Sequence, residues 1–245
     1  MTSPPEPDSL RERKRRATML AIEDAATSLV LEHGYDCVTV DQICAAAQVS
    51  KRTFFNYVPS KEAAVIGSPP RDIPRAGRRE FLDAADPDVP GALLRLFLAT
   101  FAAARIADDA QTATLAHRRA EIVRANPDLG VARVTASSRV QLRLVDLVTE
   151  HFERHPALRR LDGVAPRAEA RAYVALVAAS ANLGLSTWLT REAATFAELD
   201  AECALALRQL ALLVTAPPDA TPAGITPAGT TSPETTGTTS GTTPA

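Results

Sequence analysis

Apolar positions recur at three- and four-residue intervals from about residue 13 to residue 214, with no sustained alternation of β-branched and polar residues, and this period predicts an all-α protein. Leu20, Ala21, Val30 and Leu31 fall on one stripe of a first helix over about 13–33, and Gly34 stands where a left-handed carboxy-terminal cap belongs. Thr39 and Gln42 have the spacing of a capping box, which starts a short helix near Val40 that runs to Ala47. Ser50 can cap a second short helix over 51–57, and Ser60 with Glu62 opens a fourth. Beyond Gly67-Ser68-Pro69-Pro70 the period predicts longer helices near 90–106, 109–125, 127–155, 166–191 and 196–214.

Composition sets the limits of this helical region. Residues 1–9 carry Pro4, Pro5 and Pro7, and residues 216–245 hold 6 Pro, 4 Gly and 10 Thr with almost no large apolar side chain. Neither segment can bury enough surface to offset its ordering entropy, so both are expected to be disordered. The expected organisation is an arm over 1–9, a helix-turn-helix domain over 10–66, a larger helical ligand-binding and dimerisation domain over 67–215, and a tail.

Charge changes the picture only when taken by segment. The whole chain balances 27 basic against 29 acidic residues, which excludes a uniformly basic nucleic-acid coat. Locally, Arg11 to Arg16 holds five cations and one anion, Glu23 to Asp41 five anions and no cation, and Lys51, Arg52 and Lys61 follow. The longest nearly apolar stretch, Val174 to Leu185, is broken by Ser180 and Asn182 and is too short to span a bilayer, so no membrane partner is expected. Cys37, Cys44 and Cys203 form no C-x-x-C pair and no disulfide framework, which points to a reducing cytoplasm.

The segment from Thr39 to Lys61, TVDQICAAAQVSKRTFFNYVPSK, reads as helix, short connection and helix, the helix-turn-helix arrangement. Ile43, Val49 and Phe54 supply an apolar wedge, and the small residues Cys44 to Ala47 allow the helices to cross closely. On the second helix Lys51, Arg52 and Phe55 share one face, and Phe54 with Val58 the opposite one. Arg52 suits a bidentate contact to guanine and Phe55 the methyl groups of thymine, while Thr53, Tyr57 and Lys61 suit phosphates. Arg13 and Lys14 of the basic start are candidates for phosphate or minor-groove contact, and Thr39, Ser50 and Asn56 complete the candidate DNA-binding set.

Three patterns suggest other chemistry and are outweighed. His151 and His155 have the spacing of two metal ligands, but HFERH lacks the zincin order and reads as a surface pair. Cys37 and Cys44 have no neighbouring cation to activate them and read as small core residues. Asp108-Asp109 reads as a helix start, with Asp109 as the cap, because no His, Lys or metal-ligand cluster converges on it. With no glycine-rich phosphate loop, Walker sequence or G-x-S-x-G, no catalytic residue, metal ligand or cofactor is expected.

Residues 13–66, about a fifth of the chain, resemble the amino-terminal domain of the TetR family of bacterial transcriptional regulators. By that resemblance VSKRTFFNYVPSK, Val49 to Lys61, occupies the recognition helix and the start of the fourth helix. The chain departs from the family pattern at Gln48 and Arg52, where Gly is usual, at Phe55, where a phosphate-binding Tyr is usual, at Tyr57, where His is frequent, and at Val58, where Phe is frequent. RTFFNY is also similar to a subgroup that includes mycofactocin-associated and acyl-CoA-responsive regulators. The resemblance implies a homodimeric repressor that binds a palindromic DNA operator and is released by a small hydrophobic effector. The residues alone leave open a helical small-molecule-binding protein or enzyme with a vestigial helix-turn-helix, and surface membrane binding by the basic start.

For assembly, the resemblance implies that the last two helices pair with those of a second copy. The candidate stripe is Leu176, Ser180, Gly184 and Trp188 on one helix, with Cys203, Leu207 and Leu210 on the other. For the effector, Phe97 and Phe101 line one side of the helix after Pro90, and Arg118 with Arg119 are candidates to hold an anionic head group at the mouth of an apolar cavity.

Overall fold

A computed structural model describes residues 10–70, 72–191 and 195–215. The disordered segments expected at 1–9 and 216–245 lie outside them. Ten α-helices and one 3-10 turn make up the described chain: α1 (Leu10–His33), α2 (Val40–Ala46), α3 (Lys51–Tyr57), α4 (Lys61–Ile66), α5 (Arg75–Asp83), α6 (Val89–Ala103), α7 (Asp109–Ala125), α8 (Pro127–Arg154), the turn Pro156–Leu158, α9 (Pro166–Trp188) and α10 (Phe196–Thr215). No helix among the described residues is long and apolar enough to cross a membrane.

Local side chains set most of these boundaries. Gly34, at φ 83°, closes α1, and its amide donates to the Val30 carbonyl. The Thr39 side chain accepts from the Gln42 amide while the Gln42 side chain accepts from the Thr39 amide, so both halves of the capping box form. Ser50 and Ser60 accept from the amides of Thr53 and Ala63. At α7 the cap is Asp108, which accepts from the Gln111 amide, and Asp109 sits in the first turn. The period did not reveal α5, because Arg75, Arg78, Arg79, Glu80 and Asp83 leave it only Phe81 and Leu82 to bury.

Two apolar clusters hold the fold. The first joins Ile22 and Val30 of α1, Ile43 of α2, Phe54 of α3 and Val65 of α4 to Ile122 of α7 and Leu129 of α8. The helix-turn-helix is therefore seated on α7 and the start of α8. The second gathers Phe81, Leu93, Leu96, Leu144, Leu147, Phe152, Val177 and Cys203 from α5, α6, α8, α9 and α10. Burying each such aliphatic or aromatic side chain contributes about 1.5–3 kcal/mol.

Two buried polar residues differ from the sequence reading or extend it. His151 is not on the surface: it is 2 % exposed, with its ring 4.6 Å from that of Phe81 and 4.9 Å from that of His155, whose Nε2 lies 2.9 Å from the Leu82 carbonyl oxygen. Its position in the α8 interior follows from α5, the helix that the period missed. Glu169, fully buried, accepts from the Arg160 and Leu161 amides and from Arg159 Nε, and so ties the loop after α8 to α9.

Candidate nucleic-acid interface

Between α2 and α3 the chain turns at Gln48, the one non-glycine residue with positive φ among those described, at 54°. This is the position where the sequence departs from a turn glycine, and Gln48 takes the left-handed conformation at some steric cost. The turn brings Ile43 and Phe54 together at full burial, with Val58 beside them. Phe54 and Phe55 meet edge to face at 5.2 Å, which helps to fix the roll of α3.

With one face of α3 locked, the other is open. Lys51, Arg52, Phe55 and Asn56 are exposed, Phe55 to 55 %. An aromatic ring that exposed, one turn after two cations on a rigid helix, is an arrangement able to enter a major groove. Thr53 and Tyr57 are half-buried at the edge of this face. Lys51 Nζ lies 2.8 Å from Asp41 of α2, and that carboxylate pushes the Lys51 ammonium above its ordinary range. The pair ties the two helices across their exposed edge, where salt screens it readily.

Several predicted contacts are already engaged within the fold. Thr39 and Ser50 cap α2 and α3, and the Ser50 and Thr53 hydroxyls are 2.8 Å apart. Lys61 does not present a free ammonium to phosphates: Nζ donates to the Tyr35 and Val38 carbonyls at 2.8 and 3.0 Å and sits 4.0 Å from the Tyr35 ring centre. Its job is to clamp the α1–α2 connection onto α4. Arg13 and Lys14 of the basic start are exposed on the first turns of α1.

The residues proposed for effector and partner contacts are placed differently from the sequence reading. Arg118 Nη1 donates to Asp24 Oδ1 at 2.7 Å and to the Ser28 hydroxyl at 2.8 Å. Arg119 Nη2 donates to Glu23 Oε2 at 2.6 Å, and Arg119 Nε donates to the Val65 carbonyl at 3.1 Å. Both arginines thus bind α1 and α4 rather than the mouth of a cavity. Sequence reasoning could not find these partners, because more than ninety positions separate Glu23 and Asp24 from the arginines. Glu23 is 4 % exposed, and burial pushes its carboxyl up against the opposing pull of Arg119.

Phe97 and Phe101 lie elsewhere, 4.8 Å apart and packed on the second core. A cavity of about 270 Å³ opens between α5, α6 and α8, lined by Glu80, Phe81, Asp86, Arg95, Leu96 and His151 among others. Ser180, Gly184, Trp188 and Cys203 are all buried within the chain. A Cβ at Gly184 would fall 2.5 Å from the Cys203 backbone, so the small-residue stripe serves the crossing of α9 with α10 in the same chain. Leu176, Leu207 and Leu210 are half-buried, and the exposed apolar residues of these helices include Leu183 and Leu205. Cys37 is exposed, and burial pushes the Cys44 thiol up and that of Cys203 up to about 11. Among the described residues no group of His, Cys, Asp and Glu has the geometry to hold a metal ion.

Residues 22–65, the segment described above, match the family model for bacterial regulatory proteins of the tetR family. The HTH-type transcriptional regulator TcmR of Streptomyces glaucescens is 41 % identical over 64 residues, 26 % of this chain and 28 % of that one. The uncharacterized HTH-type transcriptional regulator YdeS of Bacillus subtilis is 44 % identical over 61 residues, 24 % of this chain and 31 % of that one. The chain thus spans under a third of the length of these curated relatives. Among solved structures, the transcriptional regulator FadR from Bacillus subtilis in complex with stearoyl-CoA aligns with a TM-score of 0.46 at 18 % identity, over 80 % of this chain and 97 % of that one. The chain thus carries, over residues 22–65, an amino-terminal helix-turn-helix segment of the kind found in bacterial regulatory proteins of the tetR family.

Proposed function

We propose that the chain is a homodimeric transcriptional repressor that reads a palindromic duplex with α3 and leaves it when a small hydrophobic effector, such as a long-chain acyl-CoA, enters the region of α5 to α9. The observation that carries the DNA-binding part is the exposed face of Lys51, Arg52, Phe55 and Asn56 on a helix whose opposite face is locked by Phe54 and Val58. Arg52 reads a base edge, Phe55 touches thymine methyls, and Arg13, Lys14 and Tyr57 contact the backbone. The reading assigns the chain no catalysis, and no cofactor.

For the effector, Phe97 and Phe101 supply apolar surface beside the second core. The cavity of about 270 Å³ is smaller than a long acyl thioester, so its entry separates α5, α6 and α8. That separation reaches the DNA-binding helices through α7 and α8, which share their core. For assembly, two copies meet through α9 and α10 by way of Leu183 and Leu205, with Leu176, Leu207 and Leu210 supporting from behind.

Selection of genomic fragments by the purified protein is expected to return a palindromic sequence whose binding weakens steeply with salt. Folded protein that retains no sequence-specific duplex overturns the reading. Acyl-CoAs, fatty acids and planar drugs added to the recovered complex then test the effector: acyl-CoAs are expected to release the DNA, and release by planar compounds alone removes the acyl assignment.

A further inference from the structure

One buried polar atom in the larger helical region is left without a partner. Nδ1 of His151 is the single buried side-chain nitrogen or oxygen among the described residues that makes no hydrogen bond, and the residue is 2 % exposed. Native proteins rarely leave such a group unpaired, because its desolvation is not repaid. The polar groups around it are committed elsewhere. Nε2 of His155, whose ring lies 4.9 Å from that of His151, bonds the Leu82 carbonyl at 2.9 Å. Arg154 pairs with Asp83 and with Glu150, and Glu150 pairs with Arg78 as well.

The cavity of about 270 Å³ between α5, α6 and α8 is bounded by this same histidine. Phe81, Val89 and Leu96, all buried, give it apolar walls, and the small side chain of Ala92 leaves the space open. Its charged residues are accounted for: Asp86 pairs with Arg95 at 3.0 Å, and Glu80 is exposed to solvent. Inside, His151 is held in its neutral form at neutral pH by burial and by the charge of His155. An apolar cavity with one buried, uncharged polar group suits a neutral ligand with one polar group of its own. An apolar cavity of roughly 150 Å³ already holds benzene, so this one admits a single substituted ring. A hydroxyl both donates and accepts, and therefore satisfies Nδ1 in either tautomer of the imidazole.

We propose that the α5–α6–α8 cavity binds a small neutral phenol or cyclic alcohol, with its ring against Phe81, Val89 and Leu96 and its hydroxyl bonded to His151 Nδ1. An anion is repelled by Glu80 and Asp86, and an ammonium gains little, since Asp86 is already paired and Glu80 lies in water. The site uses the cavity at its present size. It needs neither DNA nor the separation of helices by an acyl chain, and it stands whether or not an acyl-CoA releases the operator.

The test is calorimetric titration of the free, full-length protein at about pH 7.5 with para-ethylphenol, ethylbenzene, para-ethylbenzoate and para-ethylbenzylamine. Para-ethylphenol is expected to bind at least about tenfold more tightly than each of the other three, the worth of one hydrogen bond to a buried group. In His151→Leu the phenol and ethylbenzene are expected to bind alike, and Ala92→Leu, which fills the cavity, is expected to weaken both at least about tenfold. Absence of phenol binding, equal affinity for any of the other three compounds, a hydroxyl preference that survives in His151→Leu, or undiminished binding in Ala92→Leu overturns the site. Where His151→Leu does not fold, the nitrogen NMR signal of His151 Nδ1 in the unaltered protein decides: it is expected to shift with para-ethylphenol and not with ethylbenzene, and identical responses overturn the proposal.

Discussion

Gly184 of α9 lies directly against Cys203 of α10: a Cβ on the glycine would come within 2.5 Å of the cysteine amide nitrogen and Cα. The neighbours at the contact are backbone atoms, which cannot rotate away. The helices cross closely enough for the Cys203 thiol to reach the Ala181 carbonyl at 3.7 Å. Gly184→Ala is therefore expected to push α10 outward and cost about 1–3 kcal/mol, against the usual gain from alanine in a helix. Chemical denaturation checks this, and an unchanged or higher stability refutes the close crossing.

The same crossing removes Ser180, Gly184 and Cys203 from any surface between copies. Glutamate at both Leu183 and Leu205 is expected to bring the mass measured by light scattering from twice the chain mass toward a single chain. Ser180→Ala, at a buried position whose hydroxyl donates to the Leu176 carbonyl, is expected to leave the dimer intact. A double variant that still runs as a dimer removes α9 and α10 from the proposed interface.

Arg52 and Lys61 are expected to separate cleanly. Arg52→Ala leaves folding unchanged and loses about 1–3 kcal/mol of operator affinity, with relaxed preference at one base position. Lys61→Ala gives up two charge-assisted bonds to the Tyr35 and Val38 carbonyls and is expected to lower folding stability by about 2 kcal/mol. Competition binding against single-base operator variants, alongside denaturation of both proteins, distinguishes the roles.

Glu23→Gln leaves the Arg119 charge half-satisfied in a buried setting and is expected to destabilise by about 3 kcal/mol. Combining it with Arg119→Met removes both charges, and most of that loss is expected to return, since the pair spends much of its attraction on desolvation. A double-mutant cycle in urea measures the coupling; additive losses would mean that the two side chains act separately.

His151 sets a pH dependence. Burial, and then the charge of neighbouring His155, lowers its pKa below the ordinary 6.5, against a backbone hydrogen bond at Phe81, and Arg154 adds to the lowering. The unfolded chain takes up the proton first as pH falls, so this contribution to stability is present above pH 6.5 and is lost below it. His151→Leu is expected to flatten the stability profile below about pH 6.5. An identical slope in the variant would assign the pH dependence to other groups.

The helix-turn-helix was legible in the sequence because its determinants are local. Thr39 with Gln42, Ser50 with Thr53, and Gly34 with Val30 interact across three or four positions, and spacing alone reveals such pairs. The alternation of Phe54 and Val58 with Arg52 and Phe55 likewise separated the packed face from the exposed one. What only the tertiary structure decided are pairings between distant segments. Lys61 turned from phosphate ligand to clamp when the chain reversal after α1 brought the Tyr35 and Val38 carbonyls within reach. Arg118 and Arg119 left the presumed cavity mouth because α7 packs along α1, opposite Glu23 and Asp24. His151 went inside because α5, too polar to be seen by its period, covers that face of α8. A one-dimensional pattern records which face of a helix is apolar, but the neighbour that a charged or small residue meets on that face is chosen by the packing of all the helices together.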